Sequence, residues 1–292
     1  MKQKTNSILG ALALFMALVI TFAFAGAALA RTAFPGMPAE AETPAQQIED
    51  VSLTSLDIAQ PAEVRLNDVS DIVDAVMPSV VAITQRSLAA DYYGPYVRSS
   101  AAEEVESGVG SGTIVAVNNS ELLILTSYHV VEGCSSLYVT FCDDASVDGY
   151  IKDCSPEDDI AVVTVPLEDI EEETLGSIAV ARLNNEENEI GEGVIVIGDA
   201  LGFGQSVVTG IISALDRQIT VKDRTITVIQ TDAAINAGNS GGCTLNSKGE
   251  VIGISEAKIA SEGVEGMCYA ISVRAYYDRI MDMLNEESAI TL

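Results

Sequence analysis

A chain of 292 residues with 48% apolar side chains can bury one or two cores, and with 5% aromatic residues and no tryptophan those cores must be mainly Val, Ile, Leu and Ala. Its 43 acidic against 15 basic residues give a formal charge of -28, which excludes nucleic acid as a partner because too few Lys and Arg are present to neutralise phosphates. The acidity reads as a solubilising surface charge, and no acidic run has the spacing of a calcium cage, so no metal and no other cofactor is expected.

Residues 1–30 open with Lys2 and Lys4, run uncharged from Thr5 to Ala30, and end on Ala28-Leu29-Ala30 before Arg31. That layout is a signal peptide, and the run is also long enough to span a bilayer as an N-terminal anchor, with residues 8–30 as the tether. Either way the remainder is expected outside the cytoplasm, secreted or anchored to the cell membrane. Residues 31–67, rich in Ala, Pro, Glu and Gln without periodicity, read as a disordered linker.

A short helix is expected from Val69 to Met77, ended by Pro78. Strands follow at Val80 to Thr84, Thr113 to Val117, Leu122 to Thr126, Leu137 to Phe141, Val147 to Ile151 and Ile160 to Val165, with a turn of helix at His129 to Glu132. Ser87 to Ser107, with Tyr92, Tyr93 and Tyr96 among small polar residues, reads as a long exposed loop. A second series runs through Val194 to Ile197, Val207 to Ala214, Thr225 to Gln230, Thr244 to Leu245, Val251 to Ser255 and Cys268 to Ser272. The amphipathic stretch Val273 to Leu284 closes the chain as a helix. Periodicity alone therefore gives an all-β protein, a barrel or a sandwich.

The chain holds one histidine, His129, and a glycine-flanked serine, Ser240, in Gly238-Asn239-Ser240-Gly241-Gly242. A serine nucleophile needs a base, and imidazole has the pKa for that task near neutrality, so any Ser-His chemistry must run through His129. A carboxylate would orient the imidazole. Between the two, Asp158 and Asp159 stand where an acidic loop enters the apolar strand beginning at Ile160.

Gly110-Ser111-Gly112-Thr113-Ile114, Leu125-Thr126-Ser127-Tyr128-His129-Val130-Val131, Asp159-Ile160-Ala161-Val162, Gly198-Asp199-Ala200-Leu201-Gly202 and Gln230 through Gly242 closely resemble the HtrA/DegP family of trypsin-like serine proteases. The match continues through Glu250 to Ser255 and Tyr269 to Ser272, covering roughly Asp68 to Leu284. The resemblance implies two six-stranded antiparallel β-barrels, with a short N-terminal and a C-terminal helix. Residues 68–182 would form the first barrel and 183–292 the second with its helix. It selects Asp159 over Asp158, because the family's aspartate directly precedes the Ile-Ala pair, giving a His129, Asp159, Ser240 triad. It also places an oxyanion hole at the N–H groups of Gly238 and Ser240 with Asn239 nearby, and a substrate pocket at Ala234, Ala257 and Cys268.

The implied activity is endopeptidase cleavage of unfolded, misfolded or exposed protein segments, and many relatives form homotrimers. The alternatives are a catalytically silent HtrA-like chaperone or binding protein, and a structural surface protein that would leave the motifs unexplained. Departures from the family pattern fall at Ala237, Cys243 and Asp199. With the sequence ending at Leu292, the PDZ domain that many relatives carry is not expected.

Cys134 and Cys154 flank the expected hairpin of Leu137 to Phe141 with Val147 to Ile151, and counting outward from its Asp143-Asp144 turn sets them almost opposite each other. A disulfide there would staple the strands beside His129. Buried free thiols are the other outcome, and five cysteines leave at least one unpaired within a monomer.

Overall fold

The computed structural model describes residues 68–88, 104–199, 204–221, 224–257 and 266–285, all within the unit Arg65–Leu292. The leader expected at 1–30, the linker at 31–67 and the tyrosines 92, 93 and 96 lie outside the described residues. No helix among the described residues is long and apolar enough to cross a membrane.

Helix α1 (Ser70–Val76) is short, as its sequence predicts, and Pro78 sits in the tighter turn Met77–Ser79 that ends it. The Asp68 carboxylate accepts the Ser70 N–H at 3.0 Å, satisfying a backbone donor that a helix start leaves without an internal partner.

Twelve strands follow among the described residues. The first six are β1 (Val80–Leu88), β2 (Glu104–Val117), β3 (Glu121–Ser127), β4 (Ser136–Thr140), β5 (Ser146–Ser155) and β6 (Ile160–Pro166). They close a barrel in the order β1-β2-β3-β6-β5-β4. The second six are β7 (Gly193–Asp199), β8 (Gln205–Val221), β9 (Arg224–Thr231), β10 (Cys243–Leu245), β11 (Val251–Glu256) and β12 (Cys268–Ser272). They close in the order β10-β11-β12-β9-β8-β7, and every ladder in both barrels is antiparallel.

Both rims of the loop expected at Ser87 to Ser107 are strand, because β1 and β2 stay paired as far as Leu88 with Glu104. Valine and isoleucine fill the barrels, as the scarcity of aromatic residues requires. Val81, Ile83, Ile124 and Val163 share one buried cluster in the first barrel, and Val194, Val196, Ile212 and Ile229 share one in the second. A third cluster draws on both barrels, joining Val80, Leu125 and Ile160 to Ile197, Val228 and Ile271. Helix α3 (Tyr277–Asn285) packs Ile280, Met283 and Leu284 into that cluster, residues whose i, i+3, i+4 spacing gives the helix one apolar stripe. Helix α2 (Glu172–Ser177) is not predicted by periodicity; the Thr174 hydroxyl ties it to the β4–β5 turn by donating to Asp143 at 2.7 Å.

The bridge expected between Cys134 and Cys154 is not formed: both thiols are free. The hairpin pairs Leu137 with Gly149, a register that extrapolates Cys134 to Lys152 rather than to Cys154. Strand β4 begins only at Ser136, β5 shifts register between Ile151 and Asp153, and Cys154 pairs with Ala161 of β6. Cys134 Sγ instead donates to the Val131 carbonyl at 3.2 Å. Burial pushes both thiols upward in pKa, and pushes the Cys243 thiol to about 12, which disfavours their thiolate forms.

Candidate active site

Strand β3 delivers His129 on the single helical turn Tyr128–Val130, directly opposite the start of β6. Asp159 stands at that start with φ of 58°, a left-handed conformation that costs a non-glycine residue free energy and is held only by surrounding contacts. Those contacts come from the histidine turn. The Asp159 carbonyl accepts the Tyr128 N–H at 2.9 Å, its Oδ1 accepts the His129 N–H at 2.9 Å, and its Oδ2 lies 2.8 Å from His129 Nδ1.

Asp158 turns elsewhere, accepting the Ser155 hydroxyl at 2.6 Å. Burial alone would raise the pKa of the Asp159 carboxyl. The hydrogen bond and charge of the His129 side chain, with hydrogen bonds from Glu256 and the His129 backbone, hold it below the usual carboxylate range instead. Arg224 from the second barrel adds a cation 3.5 Å from Asp159 Oδ1.

Ser240 sits in the turn between β9 and β10, pinned to the first barrel through Ser111. The Ser111 N–H donates to the Ser240 carbonyl at 2.8 Å, and its hydroxyl donates to the Gly238 carbonyl at 2.7 Å while accepting the Asp199 N–H at 2.7 Å. With its carbonyl held toward Ser111, Gly238 adopts φ of 94°, which favours glycine.

Of the three residues expected at the oxyanion hole, Asn239 does not offer its N–H, because that group donates to the Asn236 carbonyl at 3.0 Å. The N–H groups of Gly238 and Ser240 donate to no backbone carbonyl among the described residues. Ser240 Oγ accepts the Ala257 N–H at 3.2 Å.

His129, Ala237, Gly238, Ser240 and Ala257 line one cavity of about 330 Å³. Ala257 therefore borders the serine. Ala234 and Cys268 are not among the lining residues. Ala234 is exposed, while Cys268 packs with Ala257 on a cluster containing Ile235 and Ile252, its thiol 3.9 Å from the Ile235 carbonyl.

Sequence reasoning missed Arg224 and Glu256. Glu256 ends β11 with its side chain 1% exposed, and its Oε2 lies 3.4 Å from His129 Nδ1. The signal was present: Ile254 and Glu256 stand two apart, and so on one face, in a fully buried strand, which puts a carboxylate where an apolar residue belongs. Among the described residues, the donor atoms of His129, Asp159 and Glu256 converge within 4.8 Å of one another, the spacing that could hold a metal ion. The 2.8 Å contact of Nδ1 with Asp159 is the hydrogen-bond distance by which a carboxylate orients an imidazole.

Two antiparallel barrels with a histidine, an aspartate and a serine at their junction define a trypsin-like peptidase domain, and residues 110–254 match that family. Within that class the chain is similar to the HtrA/DegP serine proteases. It is 37% identical over 212 residues to the Do-like serine protease HtrA of Bacillus subtilis, a match covering 70% of this chain and 45% of that protein. A DegP-like protein of Hahella chejuensis, named as a periplasmic serine endoprotease, is 34% identical over 200 residues, 68% of this chain and 40% of its own length. The crystal structure of a serine endoprotease from Yersinia pestis superimposes with a TM-score of 0.58 at 28% identity, covering 77% of this chain and 70% of that one. The chain thus spans about half the length of the curated relatives it matches.

Proposed function

We propose that the chain is a serine endopeptidase that hydrolyses peptide bonds in unfolded or exposed protein segments outside the cytoplasm. The observation that carries this reading is the 2.8 Å contact of His129 Nδ1 with a buried aspartate, in a residue that lines the same cavity as Ser240. With Nδ1–H donated to Asp159, Nε2 is the nitrogen left to take the Ser240 proton as Oγ attacks the scissile carbonyl. The oxyanion so formed is received by the N–H groups of Gly238 and Ser240, each such donor being worth about 2.7 to 4 kcal/mol in the transition state. His129 then returns the proton to the leaving amine, and water repeats the sequence on the acyl-enzyme. The location is supported by the leader-like residues 1–30 and by the relative named as periplasmic.

Incubation of the whole chain with a fluorophosphonate probe should label Ser240, and Ser240→Ala should take no label. A wild-type protein that stays unlabelled would overturn the proposal.

Cleavage is expected after small or medium aliphatic residues. Ala234, the residue that resemblance sets at the pocket base, carries no charge, so Lys or Arg would enter without a partner. The one histidine is engaged with Asp159, and Ala257, which lines the cavity beside Ser240, packs on an apolar cluster that includes Ile235. Discrimination among aliphatics should be shallow, because one methylene is worth only about 1 to 3 kcal/mol. Sequencing the products of a denatured-substrate digest checks this; dominant cleavage after Lys, Arg or Glu would refute it.

A further inference from the structure

Two carboxylates flank the nitrogen of His129 that carries its proton. Nδ1 lies 2.8 Å from Asp159 Oδ2 and 3.4 Å from Glu256 Oε2, so the single N–H is pledged to Asp159 while a second acid stands against its side. The Glu256 side chain is 1% exposed, and its carboxyl converges within 4.8 Å of the atoms of Asp159 and His129. Two ionised carboxylates that close, with water excluded, repel strongly enough that such a pair holds a proton between them.

The surroundings decide which member keeps it. Asp159 collects the His129 ring N–H, the His129 backbone N–H at 2.9 Å and the Arg224 guanidinium at 3.5 Å, all of which favour its ionised form. Glu256 emerges from apolar strand β11, and burial disfavours its charge. Other polar groups from the neighbouring elements are Tyr128, with Arg224 above its ring, Glu132, paired to Arg224 at 3.8 Å, and Tyr269, the cross-strand partner of Glu256 on β12.

We propose that Glu256 is a positioning residue of the catalytic group, kept as a neutral carboxylic acid whose O–H is donated to Asp159. Glu256 is among the hydrogen-bond partners that hold the Asp159 carboxyl below its ordinary range, which is the effect that a donor to Asp159 has. Glu256 keeps its proton throughout turnover: His129 alone gains and returns one, while Glu256 fixes the Asp159 carboxylate in the plane that accepts Nδ1–H. Because the acid is neutral, it orients Asp159 without adding a negative charge that would raise the pKa of His129 and leave the base protonated at working pH.

The kinetic part of the test rests on the peptidase reading, whereas its spectroscopic part does not. At neutral pH, where exposed carboxyls are ionised, infrared difference spectra of the full chain should show a protonated-carboxyl C=O band that Glu256→Gln removes. Glu256→Ala should lower kcat by about tenfold or more with KM little changed, and Glu256→Gln, which retains a neutral donor, should restore most of that loss. The acid limb of kcat/KM against pH should stay in place in Glu256→Gln. Absence of the band, or an acid limb displaced to lower pH by about one unit or more in Glu256→Gln, would mean that Glu256 is ionised and would overturn the proposal. If Glu256→Ala does not fold, the band and the Glu256→Gln profile still decide it. If the wild type takes no fluorophosphonate, the peptidase reading fails while the band continues to report the protonation state.

Discussion

Ser240→Ala, His129→Ala and the double variant are expected to lose peptide turnover alike, each by a factor on the order of a million, because a nucleophile and its base act as one unit and removing either disables both. Asp159→Asn should lose less, about ten-thousandfold, since an amide can occupy the same space but holds the imidazole in the wrong tautomer. Steady-state hydrolysis of unfolded casein checks the set; activity retained by Ser240→Ala would end the serine-protease reading. The same assay should show kcat/KM falling as pH drops from neutrality into the acid range where imidazole takes up a proton. The sign follows from His129, which must be neutral to accept the serine proton and is silenced when protonated. Asp159, held below the usual carboxylate range, stays ionised across that window and does not contribute to the limb.

What the sequence made legible follows from where chemistry and periodicity coincide. The strands of both barrels could be read because apolar β-branched residues recur with short turns between them, and His129 and Ser240 because each has few competitors of its kind. Asp159 required the neighbouring Ile160-Ala161 pair, since 43 acidic residues make an aspartate before a strand unremarkable by itself. Its left-handed backbone was invisible, being imposed by Tyr128 and His129 from another strand.

Long-range register was the weakest inference. Counting outward from the Asp143-Asp144 turn took the wrong register: the Leu137–Gly149 pairing sets Cys134 opposite Lys152, β4 begins only at Ser136, and Cys154 pairs with Ala161 of β6 instead. Glu256 was passed over because a run of apolar residues ending in an acid normally marks a strand reaching solvent. Here β11 ends inside the junction of the barrels, so the acid is buried beside His129.

That junction is also where one methyl group should do the most damage to the fold. Gly241 has φ of 85°, and a Cβ added there would lie 2.2 Å from the Ser111 carbonyl oxygen and 2.3 Å from Thr126 Oγ1. Neither neighbour can yield cheaply. The Thr126 hydroxyl donates to that same carbonyl at 2.7 Å, and Ser111 holds the Ser240 and Gly238 carbonyls through its N–H and hydroxyl. Moving Ser111 aside breaks several buried hydrogen bonds at once, and each buried group left unsatisfied costs about 1 to 3 kcal/mol. Adding the strain of a left-handed alanine, Gly241→Ala should cost more than about 4 kcal/mol, which lowers Tm by about 10 °C or more in a domain of this size. Gly176 in helix α2 is the control, because a Cβ there meets nothing within 4 Å, and Gly176→Ala should stabilise the protein by about 0.4 to 1 kcal/mol. Thermal unfolding of both variants decides the matter. Gly241→Ala melting within a few degrees of the wild type would show that the barrels can part at Ser111 without cost; failure to fold would fit the expected loss, since Ser111 joins the serine turn to the first barrel.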